Sequence, residues 1–240
     1  MRAEVISAGV FGVSRPVRNA ERASHSPTEE VVPHAHGWNP VEFAHEQICN
    51  LVRQVFSSTV PQPVRHVVFS AVDPDTDVLG ICKHVGEVLA AEMPEDIAVV
   101  AEHSEISADR NRDHARFAEC SGPSRLTPVR EMSTYLRNNL WLVQFENSAR
   151  NATTLLHYLG QVRREFAYSI VAGQPGERSS QAIAMAQSAD GMILVLSAQK
   201  TRRITARKIK DVLDAAHVRI LGTVLCDREF PIPEGIYRQL

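Results

Sequence analysis

The chain has 240 residues, room for one large α/β domain or at most two small ones, and its 44% of apolar residues can fill a sizeable core. Lys and Arg total 26 against 28 Asp and Glu, a formal net charge of −2, so any hold on nucleic acid or an anionic membrane would need a local patch. No apolar run approaches the roughly 18 residues of a membrane span, the N-terminus lacks the apolar core of a secretory signal, and Cys49, Cys82, Cys120 and Cys226 form no C-x-x-C pair, so a cytoplasmic protein without zinc knuckle or disulfide framework is expected.

Residues 1–38 read as a flexible tail. The stretch from Ser14 to Pro40 holds Pro16, Pro27, Pro33 and Pro40, the pair Glu29-Glu30 and scattered His, with little apolar period. Such a segment buries too little apolar area to offset its ordering entropy. His34 and His36 lack the companions that metal ligands need. Within the tail, only Val5–Val13 has the look of a short strand.

Residues 39–240 read as a single domain. Val41, Ala44, Ile48, Leu51, Val52 and Val55 mark one face of a helix that Asn39-Pro40 would start. The β-branched run Val64–Phe69 predicts a strand, and Leu79, Cys82, Val85, Gly86 and Leu89 the next helical face. Ile97–Ala101 is wholly apolar, as in a strand buried on both faces of a parallel sheet. Residues 102–135 are polar and give no pattern. Further strands are predicted at Leu140–Val143, Tyr168–Ala172, Met192–Leu196 and Val218–Leu225, with helices at Ser148–Phe166, Ser180–Gln187 and Thr201–Ala216. Strands separated by helical segments require crossovers, so the expected fold is a doubly wound α/β sandwich, mostly parallel, with helices on both faces.

In such sheets ligands bind beyond the carboxyl ends of the strands. The loop after the first core strand, Ser70-Ala71-Val72-Asp73-Pro74-Asp75-Thr76-Asp77-Val78, occupies the place of a phosphate-binding loop. A phosphate cradle needs glycines, a Lys for the outer phosphates and a Ser or Thr hydroxyl for Mg²⁺. This loop has neither Gly nor Lys, and it carries three carboxylates. One carboxylate about 5 Å from a phosphate costs roughly 3 kcal/mol at an effective dielectric near 20, so three would repel a nucleotide. Asp73, Asp75 and Asp77 match the first three ligand positions of a calcium loop, a weak metal candidate. Val78 and His84 stand where its Gly and Glu should be, which favours acids that cap a helix and line a turn.

The remaining loops carry less. His103 follows Ile97–Ala101 without a nucleophile or an orienting partner, and Gly173-Gln174-Pro175-Gly176 has no acid. Lys200, Arg202 and Arg203 form a short cationic cluster that could contact phosphate, an acidic lipid or an acidic partner, against the alternative of a solvated helix start.

The order of pieces resembles the cytoplasmic ATPase domain of bacterial tyrosine kinases and capsular exopolysaccharide proteins, within the MinD/ParA-type P-loop class. The similarity runs from about Val41 to Leu240 and is strongest in FAYSIVAGQPG (Phe166–Gly176), SADGMILVLSAQKTRR (Ser188–Arg203) and VRILGTVLCDREFPIPEGIYRQL (Val218–Leu240). FSAVDPDTDVLG (Phe69–Gly80) stands where the family has its Gly-rich loop. Aligned this way, the phosphate Lys falls on Asp77 and the Mg²⁺ hydroxyl on Val78. The Asp-x-Asp after the second strand falls on Ala101 and His103, and the Walker B aspartate on Ala172. Asp73, Asp75, Thr76, Asp77 and Val78 therefore make a degenerate phosphate loop. The family's tyrosine-rich C-terminal cluster is reduced to Tyr237, the one phosphoacceptor candidate near the end.

The resemblance implies a fold and a neighbourhood more than an activity. Its relatives work beneath a membrane-embedded polysaccharide chain-length determinant and assemble as oligomers. A degenerate copy is expected to keep such contacts, with the Val41–Phe56 helix as the candidate interface, whose simpler role is to cover the sheet, and to sit at the inner face of the membrane through its partner. No cofactor, nucleic acid or direct membrane insertion is expected. Two other readings are an ATP- and Mg²⁺-using tyrosine autokinase with an atypical loop, and a degenerate MinD/ParA-type regulator of pili or polarity.

Overall fold

A strand with apolar side chains on both faces must be covered on both. Ile97–Glu102 is such a strand: in a computed structural model of the chain all six of its residues are buried, deep inside one sheet. The structure describes residues 7–9, 40–57, 63–102, 128–145, 152–174 and 180–227. In chain order these form β1 (Ser7–Gly9), α1 (Pro40–Phe56), β2 (His66–Ala71), α2 (Val78–Glu92) and β3 (Ile97–Glu102). A 3₁₀ turn (Val129–Met132) leads to β4 (Thr134–Arg137) and β5 (Leu140–Phe145). Then come α3 (Ala152–Glu165), β6 (Tyr168–Gly173), α4 (Ser180–Ser188), β7 (Gly191–Ser197), α5 (Arg203–Ala215) and β8 (Ile220–Cys226).

Among the described residues, eight strands form a sheet of order β1-β8-β7-β2-β6-β3-β5-β4. The inner strands, from β8 to β5, run parallel. Both edges are antiparallel: β1 on β8 and β4 on β5. The expected doubly wound, three-layer architecture is therefore present. One face buries Phe69, Ile97, Val99 and Val195 under α1 and α2, through Ile48, Leu51, Cys82, Val85 and Leu89. The other buries Val68, Val100, Val171 and Leu194 under α3, α4 and α5, through Leu155, Leu159, Met185 and Leu213. The α1 helix takes the covering role that its apolar stripe allows.

Observed elements match the expected ones to within a few residues at their ends. One strand was not foreseen. Inside the patternless 102–135 stretch, Thr134–Arg137 pairs with β5, and three of its four residues are exposed, so no apolar alternation marks it. The turn before it is held by Glu165, whose carboxylate accepts from the backbone N–H groups of Val129 (3.0 Å) and Arg130 (2.8 Å). The Arg130 guanidinium lies 4.8 Å from the Trp141 ring centre and pairs with Asp96. Ser7–Gly9, within the stretch expected to form a short strand, pairs with Thr223–Leu225. The rest of the tail, His34, His36, His103 and Tyr237 lie outside the described residues. Among the described residues no helix is long and apolar enough to cross a membrane.

At the amino edge of the sheet a polar network joins three elements. One carboxylate oxygen of Asp190 accepts from the backbone N–H of Arg65 (2.8 Å) and of His66 (2.9 Å), and the other takes Arg163 at 3.1 Å. The His66 ring is buried beside the Ser169 hydroxyl, 2.9 Å away. Its burial, reinforced by the Arg163 charge, lowers its pKa to about 4, with Asp190 pulling the other way. The Asp190 carboxyl lies below its ordinary range: burial opposes this, and the backbone donors of Arg65 and His66 outweigh it.

Candidate functional site

Strand β2 lies between β6 and β7. The chain leaving β2 passes through α2 on one face toward β3, and the chain leaving β7 passes through α5 on the opposite face toward β8. Neighbouring strands whose connections depart in opposite directions open a crevice at their carboxyl ends, where ligands of doubly wound sheets bind. Its two lips are the loop 72–77 and the loop 198–202.

These lips are tied to each other. The Thr201 hydroxyl donates to the Asp73 carboxylate and accepts from the backbone N–H of Ser197 at 2.8 Å. Lys200 Nζ lies 3.8 Å from the Asp75 carboxylate, with both groups exposed, so solvent screens that pair. Beneath them, Val72 N–H donates to the Val195 carbonyl at 3.0 Å. Asp77 is the N-cap of α2: its side chain accepts from Gly80 N–H at 2.8 Å. A carboxylate of the protein thus holds the position on the helix dipole where a phosphate would otherwise rest.

The three aspartates do not converge as calcium ligands. Asp73 turns to Thr201, Asp75 to Lys200 and Asp77 to Gly80. His84, at the twelfth position of that pattern, packs on His45 of α1, with ring nitrogens 3.1 Å apart. Among the described residues no group of three or more His, Cys, Asp or Glu is arranged to hold a metal ion.

The other carboxyl ends bring Glu102 together with Ser70 and Gln174 from two of the loops that the sequence pointed to. Glu102 closes β3 and is buried, and the Gln174 amide donates to its carboxylate at 2.5 Å. Ser70 donates to the Gln174 carbonyl at 2.6 Å, which joins the ends of β2, β3 and β6. The signal for Glu102 was its place directly after Ile97–Ala101, one step further along the same strand. Ala172, aligned with the Walker B aspartate, is buried and apolar. Val78 is the first residue of α2 and is buried as well. Among the described residues, two solvent-shielded hydroxyls, Thr76 Oγ1 and Ser197 Oγ, have no hydrogen-bond partner. Arg202 is the N-cap of α5 without a side-chain cap bond, and Arg203 opens the helix; both are exposed.

No cation from the loop reaches the helix start, and the dipole is already spent on Asp77. A cavity of about 100 Å³ lies between the sheet and the helices α4 and α5, lined by Ser70, Met192, Leu194, Ile209 and Leu213. The cap also carries a measurable share of stability. Asp77→Ala is expected to cost about 1 kcal/mol, lowering the midpoint by about 2–4 °C in scanning calorimetry. An unchanged midpoint would show that the helix start is held without it.

No protein-family model matches the chain, and no curated protein matches it. Solved structures share its fold. The chimerical protein CapA2B2 superposes with a TM-score of 0.58 at 14% identity, over 80% of this chain and 87% of that one. The kinase domain of the Escherichia coli tyrosine kinase ETK gives a TM-score of 0.55 at 15% identity, over 79% of each chain. The MinD cell division protein of Aquifex aeolicus gives 0.52 at 13% identity, over 67% of this chain and 68% of that one. The fold is the one that bacterial tyrosine kinase domains and MinD-type ATPases have in common.

Proposed function

We propose that the chain is a non-catalytic relative of the bacterial tyrosine kinase domains, keeping their architecture without nucleotide chemistry. It would act in, or regulate, exopolysaccharide or capsule biosynthesis through contacts with a membrane-embedded chain-length determinant, at the inner face of the membrane. The observation that carries this reading is the crevice between β2 and β7, where Asp73, Asp75 and Asp77 are engaged by Thr201, Lys200 and the start of α2. In this reading the protein's own carboxylates do the structural work that phosphates do in a nucleotide-bound relative. The conformation of the crevice is then independent of nucleotide.

The rival reading is an ATP-using autokinase with an atypical loop, for which Tyr237 would be the phosphoacceptor. It draws on Glu102, a buried carboxylate at a strand end next to the crevice. Calorimetric titration of the full chain with ATP and with ADP, with and without Mg²⁺, separates the two. No heat of binding is expected up to millimolar nucleotide. A micromolar dissociation constant that Glu102→Gln abolishes would replace the non-catalytic reading with the enzymatic one.

A further inference from the structure

The strongest departure from ordinary surface chemistry lies on α5. Across residues 200–210 stand Lys200, Arg202, Arg203, Arg207, Lys208 and Lys210 with no acid among them, in a chain whose formal net charge is −2. Lys210 pairs with Asp214 at 2.5 Å and Lys200 lies 3.8 Å from Asp75. Arg202, Arg203, Arg207 and Lys208 have no ion pair among the described residues, and all four are exposed. In the middle of this cluster Ile204 is 72% exposed, next to Arg203 and within one helical turn of Arg207 and Lys208.

Three local rules are broken here together. The helix begins without a side-chain cap, its first turn carries cations against the positive end of the dipole, and a large apolar side chain faces solvent. Broken rules that gather at one place mark a surface shaped for something other than folding. On the opposite side Leu213 is buried in the core beneath the helix, with Ile209 packed against it, so the charged side faces outward, where Arg203, Ile204, Arg207, Lys208 and Asp211 line an open hollow of about 490 Å³.

We propose that the outer face of α5 docks on an anionic lipid bilayer. The cations meet the lipid phosphates, and Ile204 enters the boundary between headgroups and acyl chains. A basic helix with an apolar point at its centre matches the chemistry of such a surface. A nucleic-acid backbone would use the cations but would return nothing for an exposed isoleucine. An acidic peptide without apolar side chains would likewise leave Ile204 unmatched. The inference goes beyond the reading of the crevice and does not depend on whether nucleotide binds.

The test is co-sedimentation of the full chain with vesicles of phosphatidylcholine, with and without phosphatidylglycerol, at about 0.1 M salt. Sedimentation is expected only with the anionic vesicles. A cation brought to such a surface is worth about fivefold in partitioning. The double variant Arg203→Glu/Arg207→Glu should therefore lower the partition constant at least 25-fold, and Ile204→Ser about fivefold. Asp211→Lys, on the same exposed face, should raise it at least fivefold with anionic vesicles and leave neutral vesicles unbound, a selectivity that misfolding does not produce. The proposal is overturned if anionic vesicles fail to sediment the chain, or if none of these variants changes the binding. It is also overturned if a duplex DNA fragment or polyglutamate displaces the vesicles and Ile204→Ser has no effect, which would assign the face to nucleic acid or to an acidic protein.

Discussion

As pH falls from 6.5 to 4, folding stability is expected to drop by about 3 kcal/mol through His66 alone. The ring is buried and its pKa is lowered to about 4 in the folded protein, by burial first and by the Arg163 charge next. In the unfolded chain it titrates near 6.5. Above 6.5 both states hold the ring neutral, and its contribution is complete. Between 6.5 and 4 the unfolded state binds a proton that the folded state refuses, so stability declines with pH at up to about 1.4 kcal/mol per unit. Below 4 both states are protonated and the loss from this group levels off. His84, also lowered chiefly by burial, adds in the same direction. Urea unfolding at half-unit intervals of pH reads the slope. His66→Asn, whose amide can still reach the Ser169 hydroxyl, should be less stable at pH 7 and markedly flatter toward pH 4. A native chain with equal stability at pH 7 and pH 4.5 would refute the assignment, as would a variant with an undiminished slope.

Gly86→Leu is expected to cost about 3 kcal/mol and to lower the melting midpoint by roughly 6–12 °C. A Cβ at this buried position of α2 would lie 2.8 Å from Val99 Cγ2 and 3.0 Å from Leu140 Cδ1. Val99 sits on a central strand and is itself fully buried, so it has nowhere to retreat. Gly86 lets α2 settle close on the sheet, which in turn sets where Asp77 meets the crevice. The matched control is Gly160 on α3, where a Cβ would meet nothing within 4 Å. Gly160→Ala should gain up to about 1 kcal/mol from helix propensity. Equal midpoints for the two variants would mean that packing at Gly86 is slack. Because no partner or ligand enters this comparison, it measures the scaffold alone.

Much of the architecture was legible before the structure. The unbroken run Ile97–Ala101 and the stripes through Ile48, Leu51 and Leu89 are patterns of burial, and burial is what decides strand and helix in a parallel α/β core. Strand β4 was illegible for the same reason. Thr134–Arg137 is held by backbone pairing to β5 at an exposed edge, and backbone hydrogen bonds leave no trace in side-chain period. At the site, the missing glycines and lysine of the loop could be read directly. The destinations of its acids could not, because Thr201 lies 128 residues from Asp73.

By itself the sequence settled the class of fold, the position of the acidic loop after the first core strand and the absence of Gly and Lys from it, because each follows from local composition and period. Only the tertiary structure decided that Asp73, Asp75 and Asp77 turn to separate partners, and that Glu102, Gln174 and Ser70 meet. It also decided that the cations of α5 surround an exposed isoleucine. The first two are juxtapositions that come into being only when the strand order β7-β2-β6-β3 brings distant carboxyl ends side by side, and the last follows from which side of α5 packs on the core.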